Sequence, residues 1–386
     1  MARVYVSSTL ADLRDERQAV FDWLRLARHQ AVDSYLPDSE TVRDSCLADV
    51  AATLGLALSS LEDQPSATGL LRVLAFLAPE PVPLGLLLAT TDAAGQLSPL
   101  TAAAVGPLLG DPLAAGDAVA ALRRYSLVSS AGQGRVLVHR LVQAITRARL
   151  PARETAEWEQ AGAALVAAAV PADAELPAAW PACAALLPHA RAVLDLTSRG
   201  LWLMGEYLGR SGDYPAARDL LQLMADAYHQ SSSFGPSDPD TLNVRNWLAA
   251  WTLRGGDASE ARRQLVALVP ACERALGAEH PVTLTARKEL AAAAGAMGDA
   301  AGARAQLAAL VVVHERVQGA ESPGVLNSRN ELARMTGMAG DAAGARDQFA
   351  ALVPVYERVL GAEDPGTQTA RAHLSYWLDQ ASAGSR

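Results

Sequence analysis

Among 33 Lys and Arg residues in a chain of 386, a single lysine occurs, Lys288, in the segment TARKEL. A phosphate-cradling loop needs its lysine directly behind a glycine-rich turn, G-x-x-x-x-G-K-[ST], so that the ammonium reaches the β- and γ-phosphates. Lys288 has no such approach, which excludes that nucleotide chemistry. Nucleophilic catalysis has no better footing: Ser7 and Ser8 stand at a strand–helix junction without the G-x-S-x-G turn that exposes a serine. No H-x-x-x-H, C-x-x-C or D-x-D-x-D spacing offers a metal site. Cys46, Cys183 and Cys272 are far apart and read as reduced core residues. Glu16 has the residue type of a general base, but the run RDER lets Arg14 or Arg17 pair with it on a helix surface. The sequence therefore predicts no catalytic residue, no metal and no cofactor, and the chemistry left to the chain is recognition.

The residues that recur regularly support that. Arg245, Arg287, Arg329 and Arg371 are 42 apart, as are Pro239, Pro281, Pro323 and Pro365, and Leu248, Leu290, Leu332 and Leu374. Gly256-Asp257, Gly298-Asp299 and Gly340-Asp341 keep the same step, with an earlier Gly212-Asp213 at 44. Independent residue types sharing one period define a repeat. Each unit reads as two helices. Proline suits a first turn, since it loses no intrahelical bond there. Glycine ends that helix, and the following aspartate caps the next. Leu307, Leu310 and Val311 follow Ala303 on one face of the second helix, which stops at Gly319. Neither helix can bury its stripe alone, so the units must stack into a solenoid, with Ala261, Ala303 and Ala345 allowing close approach. The tract SSSFGPSDPD accounts for the longer 44-residue step.

The arginine ladder admits two readings. In one, each arginine packs its stem and pairs with a repeat carboxylate such as Glu273; this is the preferred reading. In the other, a row of guanidiniums grips an acidic peptide or C-terminus.

The units LGAEHPVTLTARKELAAAAGAMGDAAGAR and LGAEDPGTQTARAHL resemble tetratricopeptide repeats of the long, kinesin-light-chain type over residues 195–380. That resemblance implies peptide binding in the groove formed by each unit's first helix, often through an asparagine before the Leu-Ala pair. The matching positions are Asn246, Lys288, Asn330 and Ala372, of which two keep asparagine. With the ladder arginines these are the groove candidates for partner binding. The last segment, ARAHLSYWLDQASAGSR, reads as a terminal cap.

Residues 55–150 lack the period. LLRVLAFLAPEPVPLGLL is an apolar helix halted by Pro79, Pro81 and Pro83 and followed by a short helix. GDAVAALRRYSLVSS is another helix, and GRVLVHRLVQAITRARL alternates at Val136 and Val138 before turning helical. Helices with a β-turn-β element suggest a winged-helix-like module. LAFLAPEPVPL, ALRRYSLV and VHRLVQAITR resemble the winged-helix region of actinobacterial-type STAND regulators, in which a histidine, here His139, touches bound nucleotide. The ATPase domain that a nucleotide role requires is missing, so His139 is a vestigial sensor position with a structural role. Residues 151–197 read as a helical bridge and cap for the solenoid (198–386), with Trp158, Trp180 and Leu187 supplying bulk and His189 packed against the cap.

Residues 1–54 read as a truncated βαβα fragment. SSTLADLRDERQAV and DSCLADV resemble a TIR-like domain that opens many STAND sensors, on Ser7, Ser8, Thr9, Asp12, Leu13, Glu16 and Arg17. A third strand and further units are missing, so the fragment is expected to be loosely ordered or docked on the winged-helix part.

The expected fold is thus mainly α: a tetratricopeptide solenoid preceded by a winged-helix-like module and a short α/β segment. A net charge of −9 and scattered arginines argue against a nucleic-acid partner. The sequence shows no membrane-spanning run, and its start turns charged too soon for a secretory signal, so a cytoplasmic chain is expected. The leading functional reading is a non-enzymatic scaffold or adaptor for a protein or peptide, as a monomer or homo-oligomer. The alternatives are a STAND-like regulator whose nucleotide binding is lost or supplied in trans, and, third, a TIR-like NAD hydrolase.

Overall fold

The computed structural model describes residues 57–384 except 62, 90 and 232. The TIR-like fragment expected at 1–54, with Glu16 and Cys46, lies outside the described residues. The described chain is mainly helical and divides into two units: residues up to 172 with 181–194, and residues 173–180 with 195 onward.

The first unit is built round α1 (Pro65–Leu74), whose Leu70, Leu71, Val73 and Leu74 are fully covered. The prolines after it break the helix, and the chain passes through β1 (Val82–Pro83) into the short α2 (Leu84–Leu87). Next come α3 (Pro99–Val105), capped by Ser98, and α4 (Pro112–Arg124), capped by Asp111. A hairpin of β2 (Ser129–Ser130) and β3 (Arg135–Leu137) then leads into α5 (Arg140–Arg149). The strands form an antiparallel sheet ordered β1-β3-β2, with Val82 opposite Val136 and Ser129 opposite Leu137. Inside, Gln143 is 3% exposed and its amide donates to the carbonyls of Leu74 (3.0 Å) and Leu77 (3.1 Å), closing the end of α1.

α6 (Ala152–Ala169) packs on α1, α2 and α3, burying Trp158 beneath the Arg72 guanidinium. α7 (Trp180–Val193) brings His189 within 3.4 Å of the Pro81 carbonyl. The segment expected to bridge and cap the solenoid thus gives most of its helix to the first unit. His189 is buried there, with the Pro81 carbonyl within reach of its Nε2.

The second unit is a run of hairpins. In order its helices are α8 (Arg199–Arg210), α9 (Tyr214–Gln230), α10 (Pro239–Arg254), α11 (Ala258–Leu276) and α12 (Pro281–Ala296). They continue as α13 (Ala300–Gln318), α14 (Pro323–Met338), α15 (Ala342–Leu360) and α16 (Pro365–Gly384). Each Gly-Asp pair stops one helix and starts the next. Gly256, Gly298 and Gly340 take φ of 95°, 105° and 98°, open to glycine without steric cost. The carboxylates of Asp257, Asp299 and Asp341 then accept the backbone N–H three residues on, at 3.0, 2.9 and 2.8 Å. Apolar stripes merge across hairpins: Leu265, Leu268 and Cys272 of α11 pack with Leu242 and Ala249 of α10 and Ala286 and Ala293 of α12. Trp377 of the single last helix, α16, covers the preceding hairpin with Ala333, Ala345 and Phe349.

First helices of successive hairpins touch one another, α10 on α12, α12 on α14, and α14 on α16, and so line the inner side. The close approach depends on matched volumes. A Cβ on Gly209 would lie 2.2 Å from the Trp251 ring, one on Gly295 2.2 Å from Met335 Sδ, and one on Gly337 2.4 Å from the Trp377 ring. At the corresponding position of the second hairpin stands Leu253, and it packs against a cluster in which the large partner is replaced by Ala293. Small faces large at every step.

Gly337→Leu is therefore expected to cost about 1–3 kcal/mol of unfolding free energy by overpacking. Combined with Trp377→Ala, the loss should fall clearly short of the sum of the two single losses. Denaturant melts of the four proteins of the cycle measure it; simple additivity would refute the matched-volume account.

Candidate functional site: the inner face of the helical hairpins

The inner face starts with aromatics. Trp202 of α8 and Trp247 of α10 are half-buried and meet edge to face at 5.9 Å, and Trp247 lies 5.3 Å from Trp251. The Arg210 guanidinium stands 5.9 Å from the Trp247 ring and that of Arg254 5.0 Å from the Trp251 ring. Helical spacing explains the grouping: Trp202, Glu206 and Arg210 share one face of α8, and Trp247, Trp251 and Arg254 one face of α10. Tryptophan and arginine on a partly desolvated face are the residue types that carry most binding energy at protein interfaces.

One column then continues along the first helices at the 42-residue step: Trp247, Glu289, Glu331, His373. Glu289 is almost fully buried, with Lys288 Nζ at 2.9 Å and Arg254 Nη2 at 3.7 Å. Burial alone would raise its pKa, but the charges of Lys288, Arg254 and Arg334 overcome this and hold it at about 2. Glu331 pairs with Arg334 at 2.9 Å. Glu206 is pushed above the usual carboxylate range by burial, which Arg210 opposes. Beyond the aromatic corner the face is thus a chain of alternating charges.

The groove positions read from the sequence are placed differently from one another. Asn246 is 1% exposed, and among the described residues its Oδ1 has no partner. Lys288 is 9% exposed and bound to Glu289. Asn330 is also buried, and the nearby Tyr356 hydroxyl donates to Asn327 Oδ1 at 3.2 Å. These positions fall in the seam between stacked first helices, so their side chains are covered; of the residues that follow them, Trp247 is half-buried and Glu289 is covered as well.

Three ladder arginines face the previous second helix: Arg287, Arg329 and Arg371 donate through Nε to Glu273, Glu315 and Glu357, each at 2.9 Å, with Nη2 to the same oxygen. Arg245 has no carboxylate within ion-pair distance among the described residues.

His139 caps α5, its Nδ1 accepting the Leu141 N–H at 3.2 Å, and burial, then Arg140, lowers its pKa. No group of His, Cys, Asp or Glu among the described residues could hold a metal. No described helix is long and apolar enough to cross a membrane. The aromatic corner was missed in the sequence, although the i, i+4 pair in NWLAAW was its available signal.

Residues 57–155 match the family profile of a domain of unknown function, DUF7779, and residues 325–366 match that of a tetratricopeptide repeat. A comparison with curated proteins gives no match. Solved structures similar to the chain include the nearly identical TPR-like repeats of a Podosopora anserina kinesin light chain and a single-residue variant of them. They are 24% identical, with TM-scores of 0.37 and 0.38, over 49% of this chain and 87% of theirs. BtubC (BKLC) from P. vanneervenii is 14% identical, with a TM-score of 0.35, over 53% of this chain and 83% of its own. The chain carries tetratricopeptide repeats, an architecture suited to protein interaction.

The charge layer predicts two acid transitions. Glu289 is depressed, so its contribution is complete above the unfolded carboxylate value of about 4.3 and is lost as pH falls towards about 2. His139, His189, His314 and His373 are all lowered by burial, so stability should also fall as pH drops below about 6.5, where the unfolded chain binds the protons first. Lys288→Met, which strands Glu289, should cost about 3 kcal/mol at neutral pH and move the lower transition upward. Urea midpoints across pH 2–7.5 check both; a flat profile below about pH 6.5 would refute the histidine assignment.

Proposed function

We propose that the chain is a non-enzymatic adaptor that binds a protein or peptide segment along the inner face of its tetratricopeptide repeats. The observation that carries this is the half-buried Trp202–Trp247 corner, with Arg210 beside the Trp247 ring and Arg254 beside the neighbouring Trp251 ring. It is a built, rigid, amphipathic anchor, continued by a charge row that can pair with a ligand's charges in register. Trp247 and Arg254 would make first contact, and the free Oδ1 of Asn246 lies one layer beneath as an acceptor. Lys288 would support this layer through Glu289, and the buried Asn330 through its packing. The helix-and-hairpin module at 57–155 would then serve as a spacer or docking block, in a winged-helix-like role.

A second reading, a STAND-like regulator that has lost nucleotide binding, is supported by the order helix, strand, helices, hairpin, with His139 at the start of α5. Calorimetry with ATP and ADP tests this reading: heat of binding by the isolated chain would overturn the loss of nucleotide binding that it requires.

For the adaptor, a peptide selected from a random display library on the full chain should lose at least tenfold in affinity on Trp247→Ala, and likewise on Arg254→Glu. Circular dichroism would confirm that both variants fold. Undiminished binding to both variants would remove the inner face from the reading.

A further inference from the structure

The arginine ladder is broken at one rung. In the later hairpins the second helix supplies a glutamate, Glu273, Glu315 or Glu357, to the arginine of the next first helix. Counted from the Gly-Asp turn, which steps by 44 here, the matching residue of α9 is His229. A second ladder fails at the same place. Arg316 pairs with Glu279 and Arg358 with Glu321, whereas Ser237 stands where Arg274 would find its acid.

The consequence is a cavity of about 550 Å³ between α9, α10 and α11, on the second-helix side and away from the tryptophan corner. His229 and Arg245 line it together with Thr241. The same furrow two hairpins on, beside Arg329, encloses about 290 Å³, and Glu315 engages that arginine. The internal comparison thus shows what the site lacks: one carboxylate. Arg245 is half-buried, and none of its guanidinium N–H groups has a hydrogen-bond acceptor among the described residues. The Oγ1 of Thr241, a residue 1% exposed, also has no partner there.

The two carboxylates on the cavity wall are already engaged. Glu260 accepts from Arg263 (2.8 and 2.7 Å) and from Gln264 (2.8 Å), and Asp226 accepts from Gln222 (2.9 Å).

We propose that this furrow binds a carboxylate of a peptide ligand, an acidic side chain or a chain terminus, which takes the place of the missing ladder glutamate against Arg245 and His229. A guanidinium presents a planar fork that suits a carboxylate. The pocket's size and its opening between two second helices leave room for the ligand backbone. The site is separate from the inner face and does not depend on the adaptor reading.

The test uses the full chain with ¹⁵N-labelled arginine and three blocked tripeptides as probes: one with a central glutamate, one with a free C-terminal carboxylate only, and one with a central glutamine and no carboxylate. The Arg245 side-chain N–H should shift and saturate at millimolar concentrations of one or both carboxylate peptides but not with the glutamine peptide. Whichever saturates identifies the source. Arg245→Gln should abolish saturation, followed by competition against a fluorescent form of the peptide. His229→Glu, an exposed change, should supply the carboxylate internally, weakening the peptide at least tenfold while raising the melting temperature. Trp247→Ala should leave binding here unchanged. Equal response to the glutamine peptide, or full binding by His229→Glu, would overturn the proposal.

Discussion

Each hairpin of the second unit makes an apolar stripe that it cannot cover by itself, so the fold depends on how closely the next hairpin can approach. That approach is set at the first helices, where Gly209, Gly295 and Gly337 leave room for Trp251, Met335 and Trp377. Dispersion and desolvation reward this contact only when both sides fill the space. The exchange of glycine for Leu253, matched by Ala293 in place of a large residue, shows the same volume kept by a different division. The close contact of the first helices places their outer neighbours, Trp247 and Arg254 among them, side by side on one face.

Electrostatics refines a stack that packing has already made. The Arg–Glu pairs between second and first helices are partly exposed, with about a third of each side chain accessible in the Arg329–Glu315 pair. Such pairs contribute modestly to stability, roughly 0–1 kcal/mol each. Their value lies more in register, because a hairpin slipped by one residue would bring no carboxylate to the guanidinium. Glu289 differs in kind: it is enclosed, and only the converging charges of Lys288, Arg254 and Arg334 keep it ionised.

What could be read from the sequence follows physical locality. The Pro, Gly and Asp of each repeat act on their own backbone, through a fixed φ, a left-handed residue and a cap, so period and type suffice to place them. The pairing of Arg287 with Glu273 was within reach because the two lie 14 residues apart, on either side of the turn that joins neighbouring hairpins. The inner face was not, since a helical wheel shows that Asn246 and Trp247 are adjacent but not which of them the neighbouring hairpin will cover. His229 was hidden for another reason: two extra residues before Pro239 make the 42-residue count fall on Ser231, and only the helix register recovers the histidine. In the first unit α3 escaped notice because a short alanine-rich segment carries little periodic signal, although Ser98-Pro99 marks its start.

The enclosure of Lys288 has a consequence outside folding. It is the chain's one side-chain amine, and in the folded state it is held against Glu289 with little surface accessible. Enzymes that attach acetyl groups or ubiquitin to lysine side chains would find this one covered until the α12 layer opens. Conjugation at this position would therefore report directly on the opening of that layer.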